Sequence, residues 1–161
     1  MLRRAAPMHD IGKIGIPDEV LKKPGAYTQK ERLVMNRHPE IGAEILGRSR
    51  VPLFQMAAEV ALGHHERWDG GGYPSALAGQ AIPLSARIVA VVDFMDALTM
   101  DRCYRKAFPD DEALRMLTEQ RGRAFDPRVV DAFLAHAPAL LALRDRVNAC
   151  PPSFEELSEL D

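Results

Sequence analysis

The chain has 161 residues, enough for one domain of ordinary size whose core needs no disulfides. Its formal net charge of -2 carries no basic excess, which argues against a long nucleic-acid duplex as partner and confines any phosphate binding to a local cluster. No stretch reaches the roughly 18 to 20 apolar residues of a membrane-crossing helix, the start Met1–Pro7 is too short for a signal peptide, and two cysteines, Cys103 and Cys150, suit a reducing cytoplasm.

The first chemical feature is His9-Asp10, expected on a helix with Lys13 within one turn. Thr28-Gln29-Lys30-Glu31 is a capping box, and the apolar spacing of Leu33, Val34, Ile41, Ile45 and Leu46 predicts one helix over 28–46 that carries His38-Pro39. Pro52 opens another, with Phe54, Ala57, Ala58, Ala61 and Leu62 on its apolar face, ending at His64-His65. As helical neighbours these two histidines point about 100 degrees apart and are expected to straddle a centre or to serve different metals. The glycines of Asp69-Gly70-Gly71-Gly72-Tyr73-Pro74 mark a loop beside it.

Between Pro83 and Met100, the β-branched Ile88, Val89, Val91 and Val92 favour a strand by propensity alone. A helix is the better reading, because no turn signal interrupts about eighteen residues and Asp93 and Asp96, at i and i+3, then share a face. Pro109-Asp110-Asp111-Glu112, with Gly122 beyond the end, marks a further helix, and Asp126-Pro127 marks a cap and first turn. His136 is expected to be structural at a helix end before Pro138. Residues 1–145 are expected to form one all-α domain of about six to eight helices, with 146–161 a charged tail set off by Pro151-Pro152.

Imidazole and carboxylate at several separated sites form the ligand set of a divalent transition-metal centre, which points to metal-assisted hydrolysis. Four histidines and two aspartates exceed the needs of one tetrahedral zinc and favour two or more metals. Glu66 and Asp69 follow the paired histidines at once, and Asp93 offers a further oxygen. Lys13 is too basic to ligate while protonated; its natural task is to hold a phosphate oxygen or orient the attacking water. Arg102 and Arg105, at i and i+3, suit phosphate oxygens or a purine plane, and the segment that carries them with Cys103 looks like a site wall.

His9-Asp10-Ile11-Gly12-Lys13-Ile14-Gly15-Ile16-Pro17, His38-Pro39 and the string His64-His65-Glu66-Arg67-Trp68-Asp69-Gly70-Gly71-Gly72-Tyr73-Pro74 closely resemble the HD-GYP family. The likeness continues through Ala86-Arg87-Ile88, Asp93, Asp96-Ala97-Leu98-Thr99, Arg102-Cys103-Tyr104-Arg105 and Phe125-Asp126-Pro127. It implies an all-helical HD-superfamily domain that hydrolyses the bacterial second messenger cyclic di-GMP to pGpG, and in some members on to GMP. It also implies two or more divalent metals, iron or manganese first, with zinc and nickel as alternatives. By position the ligands would be His9, Asp10, His38, His64, His65 and Asp93, with Asp10 as bridge. Lys13 and Asp10 would carry the catalysis, and Tyr73, Asp96, Arg102 and Arg105 would receive guanine and phosphate groups. GGDEF-type domains, or a sensor or receiver domain joined upstream, are the implied protein partners.

The family pattern includes a further histidine, and in three-metal members a glutamate, from a helix upstream of the His-Asp pair; neither is present here, so the upstream helices of the complete domain are expected to be missing. Three functions remain compatible with the sequence. They are a cyclic di-GMP phosphodiesterase, a catalytically impaired module that binds cyclic di-GMP or a GGDEF partner, and an HD hydrolase of another nucleotide.

Overall fold

The computed structural model describes residues 1–101 and 106–149. Arg102, Cys103, Arg105, Cys150 and the Pro151-Pro152 of the expected tail lie outside them. The chain divides into two units, 1–130 and 131 onward. Among the described residues the structure is helical, apart from two isolated bridges that pair Asp69 with Ala78 and Arg121 with Phe125. In order come α1 (Leu2–Ala5), 3-10 turns at Ala6–Met8 and Ile11–Gly15, α2 (Asp18–Leu21), α3 (Gln29–Met35), α4 (His38–Gly47) and α5 (Pro52–Gly63). A 3-10 turn at Gly79–Ala81 then leads to α6 (Leu84–Thr99), α7 (Asp110–Glu119) and α8 (Pro127–Ala149).

The first unit is built around α5, which packs on α1, α4 and α6, while α6 also packs on α7. One cluster joins Ala5, Leu46, Ala57 and Ala61; a second joins Ile16, Val20 and Met35 under Tyr27, Val34 and Ile41. Small residues set the spacing. A Cβ on Gly12 would lie 1.9 Å from the His38 carbonyl oxygen and 2.4 Å from the Gly42 nitrogen, so the Ile11–Gly15 turn lies backbone to backbone against the start of α4. A Cβ on Gly63 would meet the Ala86 Cβ at 2.8 Å, where α5 approaches α6.

Segment 83–100 is the expected helix, α6, because burial of Ala86, Val89, Ala90, Val91, Met95 and Leu98 outweighs a modest strand propensity. The capping box also forms: the Glu31 amide donates to Thr28 Oγ1 at 3.3 Å and the Thr28 amide to Glu31 Oε2 at 2.7 Å. The single helix over 28–46 is corrected. It is two helices, α3 and α4, parted at Asn36-Arg37, since Pro39 has no N–H to give the Met35 carbonyl four residues back. Pro138, expected to follow a helix end, lies inside α8, so His136 is also within that helix.

Candidate metal centre

His9 and Asp10 occupy a turn between two 3-10 segments rather than a regular helix. In 3-10 geometry the side chains at i and i+3 eclipse, and Lys13 Nζ accordingly meets Asp10 Oδ2. His64 and His65 lie in the turn just past α5. They do not straddle a centre: their ring centroids are 4.0 Å apart with planes inclined by 41°, because the backbone leaves the helix at His64 and both rings turn the same way.

One ligand atom each from Asp10, His38, His64 and His65 lies within 4.8 Å of every other. The Nε2 atoms of His38 and His64 face one another at 3.4 Å, and Asp10 Oδ1 stands 3.2 Å from the first and 3.8 Å from the second. The other ring nitrogens explain the arrangement. Nδ1 of His9, His38 and His64 lies 2.9, 2.8 and 2.8 Å from the carbonyl oxygens of Ala6, Met35 and Ala61, each three residues back. A carbonyl can only accept, so each Nδ1 carries a proton, and in a neutral ring Nε2 presents its lone pair. For His38 the acceptor is the carbonyl that Pro39 leaves free; the residue that breaks the helix also aims the histidine.

Asp10 Oδ1 is buried without a hydrogen-bond partner. A carboxylate oxygen facing two imidazole lone pairs is unfavourable in the metal-free protein and favourable around a divalent cation, so the donor set fits a metal. Asp10 Oδ2 faces the other way, 3.4 Å from His9 Nε2, which stands 3.5 Å from Asp93 Oδ1. The carboxylate therefore lies between two groups of donors, His38 with His64 and His65, and His9 with Asp93.

Electrostatics follow the same division. Burial lowers His64 to about 4 and, with the neighbouring imidazoles, His65 to about 3, so both are neutral at neutral pH, the form that ligates. Burial also works against a charged His9, but the Asp10 and Asp93 carboxylates outweigh it and raise the ring to about 10. A proton reconciles His9 with two acids here, and a divalent cation would do so more strongly. Burial would favour neutral acids, yet the polar side chains of His38, His9 and Lys13 beside it hold Asp10 far below the carboxylate range, and His9 holds Asp93 down too.

Tyr73 belongs at the centre, since its ring stacks on His65 at 4.8 Å and 26°. Burial raises its phenol to about 12. Asp96 sits one turn beyond Asp93 on α6 with its side chain exposed. Glu66 and Asp69, read from the sequence as further acids beside the paired histidines, are outside the cluster. Asp69 pairs with Arg67 at 2.7 Å and accepts the Gly71 amide at 3.0 Å. Glu66, only 4% exposed, turns into the loop and accepts the amides of Ser75 at 2.7 Å and Leu77 at 3.0 Å.

The same loop has outer anchors that the sequence did not reveal. The Trp68 amide donates to the Ala124 carbonyl at 2.9 Å and the Asp69 amide to that of Arg123 at 2.8 Å. Arg87 lies over the Trp68 ring at 5.8 Å and donates to the buried Asp126 carboxylate at 2.6 Å. These contacts give Arg87 and Asp126, motif residues without a chemical role, a structural one.

A family model described as an HD domain matches residues 1–129. The chain belongs to the HD domain family. It is 57% identical over 134 residues to "Cyclic di-GMP phosphodiesterase response regulator RpfG" of Xanthomonas campestris, covering 83% of this chain and 35% of that one. It is 52% identical over 130 residues to a "Cyclic di-GMP phosphodiesterase" of Thermotoga maritima, covering 81% and 35%. A "3'3'-cGAMP-specific phosphodiesterase 2" of Vibrio cholerae is 44% identical over 144 residues, covering 89% and 28%. The HD domain thus spans about a third of the length of these relatives, and the HD-GYP resemblance of its motifs agrees with their names. Among solved structures, a cyclic GMP-AMP phosphodiesterase of V. cholerae shares the fold, with a TM-score of 0.54 at 22% identity over 90% of this chain and 41% of that one.

Proposed function

We propose that this HD domain is a metal-dependent phosphodiesterase that opens cyclic di-GMP to pGpG, with further cleavage to GMP as a second step. The observation that carries the reading is the buried, unpartnered Asp10 Oδ1 among imidazole nitrogens, a placement that makes sense around a divalent cation. The names of the cyclic di-GMP relatives support the substrate. His38, His64 and His65 would hold one ion and His9 with Asp93 the other, with Asp10 between them. The HD-GYP resemblance favours iron or manganese, with zinc and nickel as alternatives, since the same nitrogen and oxygen donors accept all four. Such ions supply Lewis acidity to the phosphoryl group and lower the pKa of bound water.

The chain's own residues perform the remaining work. Lys13 keeps Asp10 ionised and places a cation where a phosphate oxygen gains charge during cleavage. Tyr73 offers a ring against the centre; Asp96, Arg102 and Arg105 complete the proposed substrate wall. Among the described residues no helix is long and apolar enough to cross a membrane, and we place the domain in the cytoplasm, joined or docked to a sensor, receiver or GGDEF domain.

The test is turnover of cyclic di-GMP by the manganese- or iron-loaded chain, with pGpG as the expected product. The relative named for 3'3'-cGAMP supports a second reading, that of a hydrolase for the mixed dinucleotide. A higher kcat/KM for 3'3'-cGAMP would select that reading. Tight binding without turnover of either dinucleotide would leave a binding module.

A further inference from the structure

Three of the clustered histidines have Nδ1 tied to a carbonyl three residues back, a partner that fixes both the tautomer and the plane of a ligating ring. His65 has no such tie among the described residues. Its ring faces Tyr73 instead, 4.8 Å away and inclined by 26°, while its carbonyl accepts the Tyr73 amide at 3.3 Å. The loop that brings Tyr73 there closes around one buried carboxylate, because both oxygens of Glu66 are used by the amides of Ser75 and Leu77. Gly72 allows the fold-back: a Cβ there would lie 2.3 Å from the Arg67 nitrogen and 2.6 Å from the His65 carbonyl oxygen.

We propose that Tyr73 is a positioning residue for the ligand His65, its ring doing by stacking what a carbonyl does for the other three histidines, and that Glu66 holds the loop that presents it. This role is separate from any contact of the Tyr73 hydroxyl with substrate, and it rests on the reading of the cluster as a metal centre. It requires an aromatic ring at 73 and no hydroxyl. It also requires both amides of the loop to find an acceptor at 66, which a glutamine cannot provide, having one oxygen and a donor in place of the other.

The experiment is calorimetric titration of Mn2+ into the metal-free chain and its variants. Tyr73→Ala should weaken the ion that His65 binds by roughly 10 to 100-fold, the usual effect of removing a residue that orients a metal ligand. Tyr73→Phe should bind as the unchanged chain does. Glu66→Gln should weaken binding in the same direction and add nothing on top of Tyr73→Ala, since the two act in series. Equal affinity in Tyr73→Ala and the unchanged chain would overturn the proposal, as would equal weakening by Phe and Ala. If Glu66→Gln does not fold, the Tyr73 pair decides alone. An unchanged chain that binds no Mn2+ would overturn the metal centre itself, a different result from the failure of its orientation.

Discussion

At the level of single residues, the carboxylate of Asp10 links the two donor groups and Lys13 serves it from the solvent side. Asp10→Ala should abolish metal binding and turnover together. Lys13→Ala should keep the metal and lower kcat by about 10² to 10³-fold, the size expected for one lost charge-stabilising donor. Elemental analysis beside kinetics separates the two, and equal metal loss in both would refute a separate role for Lys13. Gly12→Ala is the matching packing test. With the His38 carbonyl 1.9 Å from the new Cβ, the turn and α4 must separate, at a cost of at least about 1 to 3 kcal/mol, and His38 moves away from Asp10. Thermal melting and metal titration should both register it. That Asp10, His38, His64 and His65 gather in one cluster was legible in the sequence, because histidines, acids and glycines at these positions have few other uses together. Glu66 was legible only as an acid beside the site; that it faces a loop rather than a metal depends on the path of residues 72 to 77, which no residue type announces.

At the scale of elements, capping and helix breaking decide more than propensity. Thr28→Ala should remove about 1 kcal/mol through the lost cap of α3, measured by denaturant unfolding. The same box gives a pH dependence. Lys23, then the amide and hydroxyl of Thr28, hold Glu31 at about 2 against its ordinary 4.5. A carboxylate depressed in the folded state contributes stability that is present above about 4.5 and lost as pH falls through about 2. Acid unfolding of the chain with Lys23→Met should therefore show a smaller loss across that window. The capping box and both proline starts were readable because each is a local hydrogen-bond or φ constraint. The break between α3 and α4 was hidden by an apolar spacing that continues across it, although Pro39 signalled it. The turn that carries His9-Asp10 is indistinguishable from a helix in the sequence for a related reason: in 3-10 and α geometry alike, Lys13 falls on the same side as Asp10.

At the scale of the molecule, the loop from Glu66 to Leu77 joins the centre to the turn before α8, and Arg87 with Asp126 is the buried tie that secures it. Arg87→Met should leave the Asp126 charge buried without its partner and destabilise the domain by about 3 to 5 kcal/mol, visible as a lowered melting temperature. Binding to the folded state alone also stabilises it, so metal at a hundred times its dissociation constant should add about 2.7 kcal/mol, which a chelator removes. The all-helical architecture was readable from periodicity and caps, whereas the pairing of α5 with α1, α4 and α6 depends on small residues such as Gly42, Ala61 and Gly63 whose partners lie far along the chain. The most direct test of the central claim is metal content and cyclic di-GMP turnover measured on one anaerobically purified sample. The account predicts about two divalent ions per chain, as in two-metal phosphodiester hydrolysis, with pGpG formed. Protein that remains folded, takes up no metal and leaves cyclic di-GMP intact would contradict it.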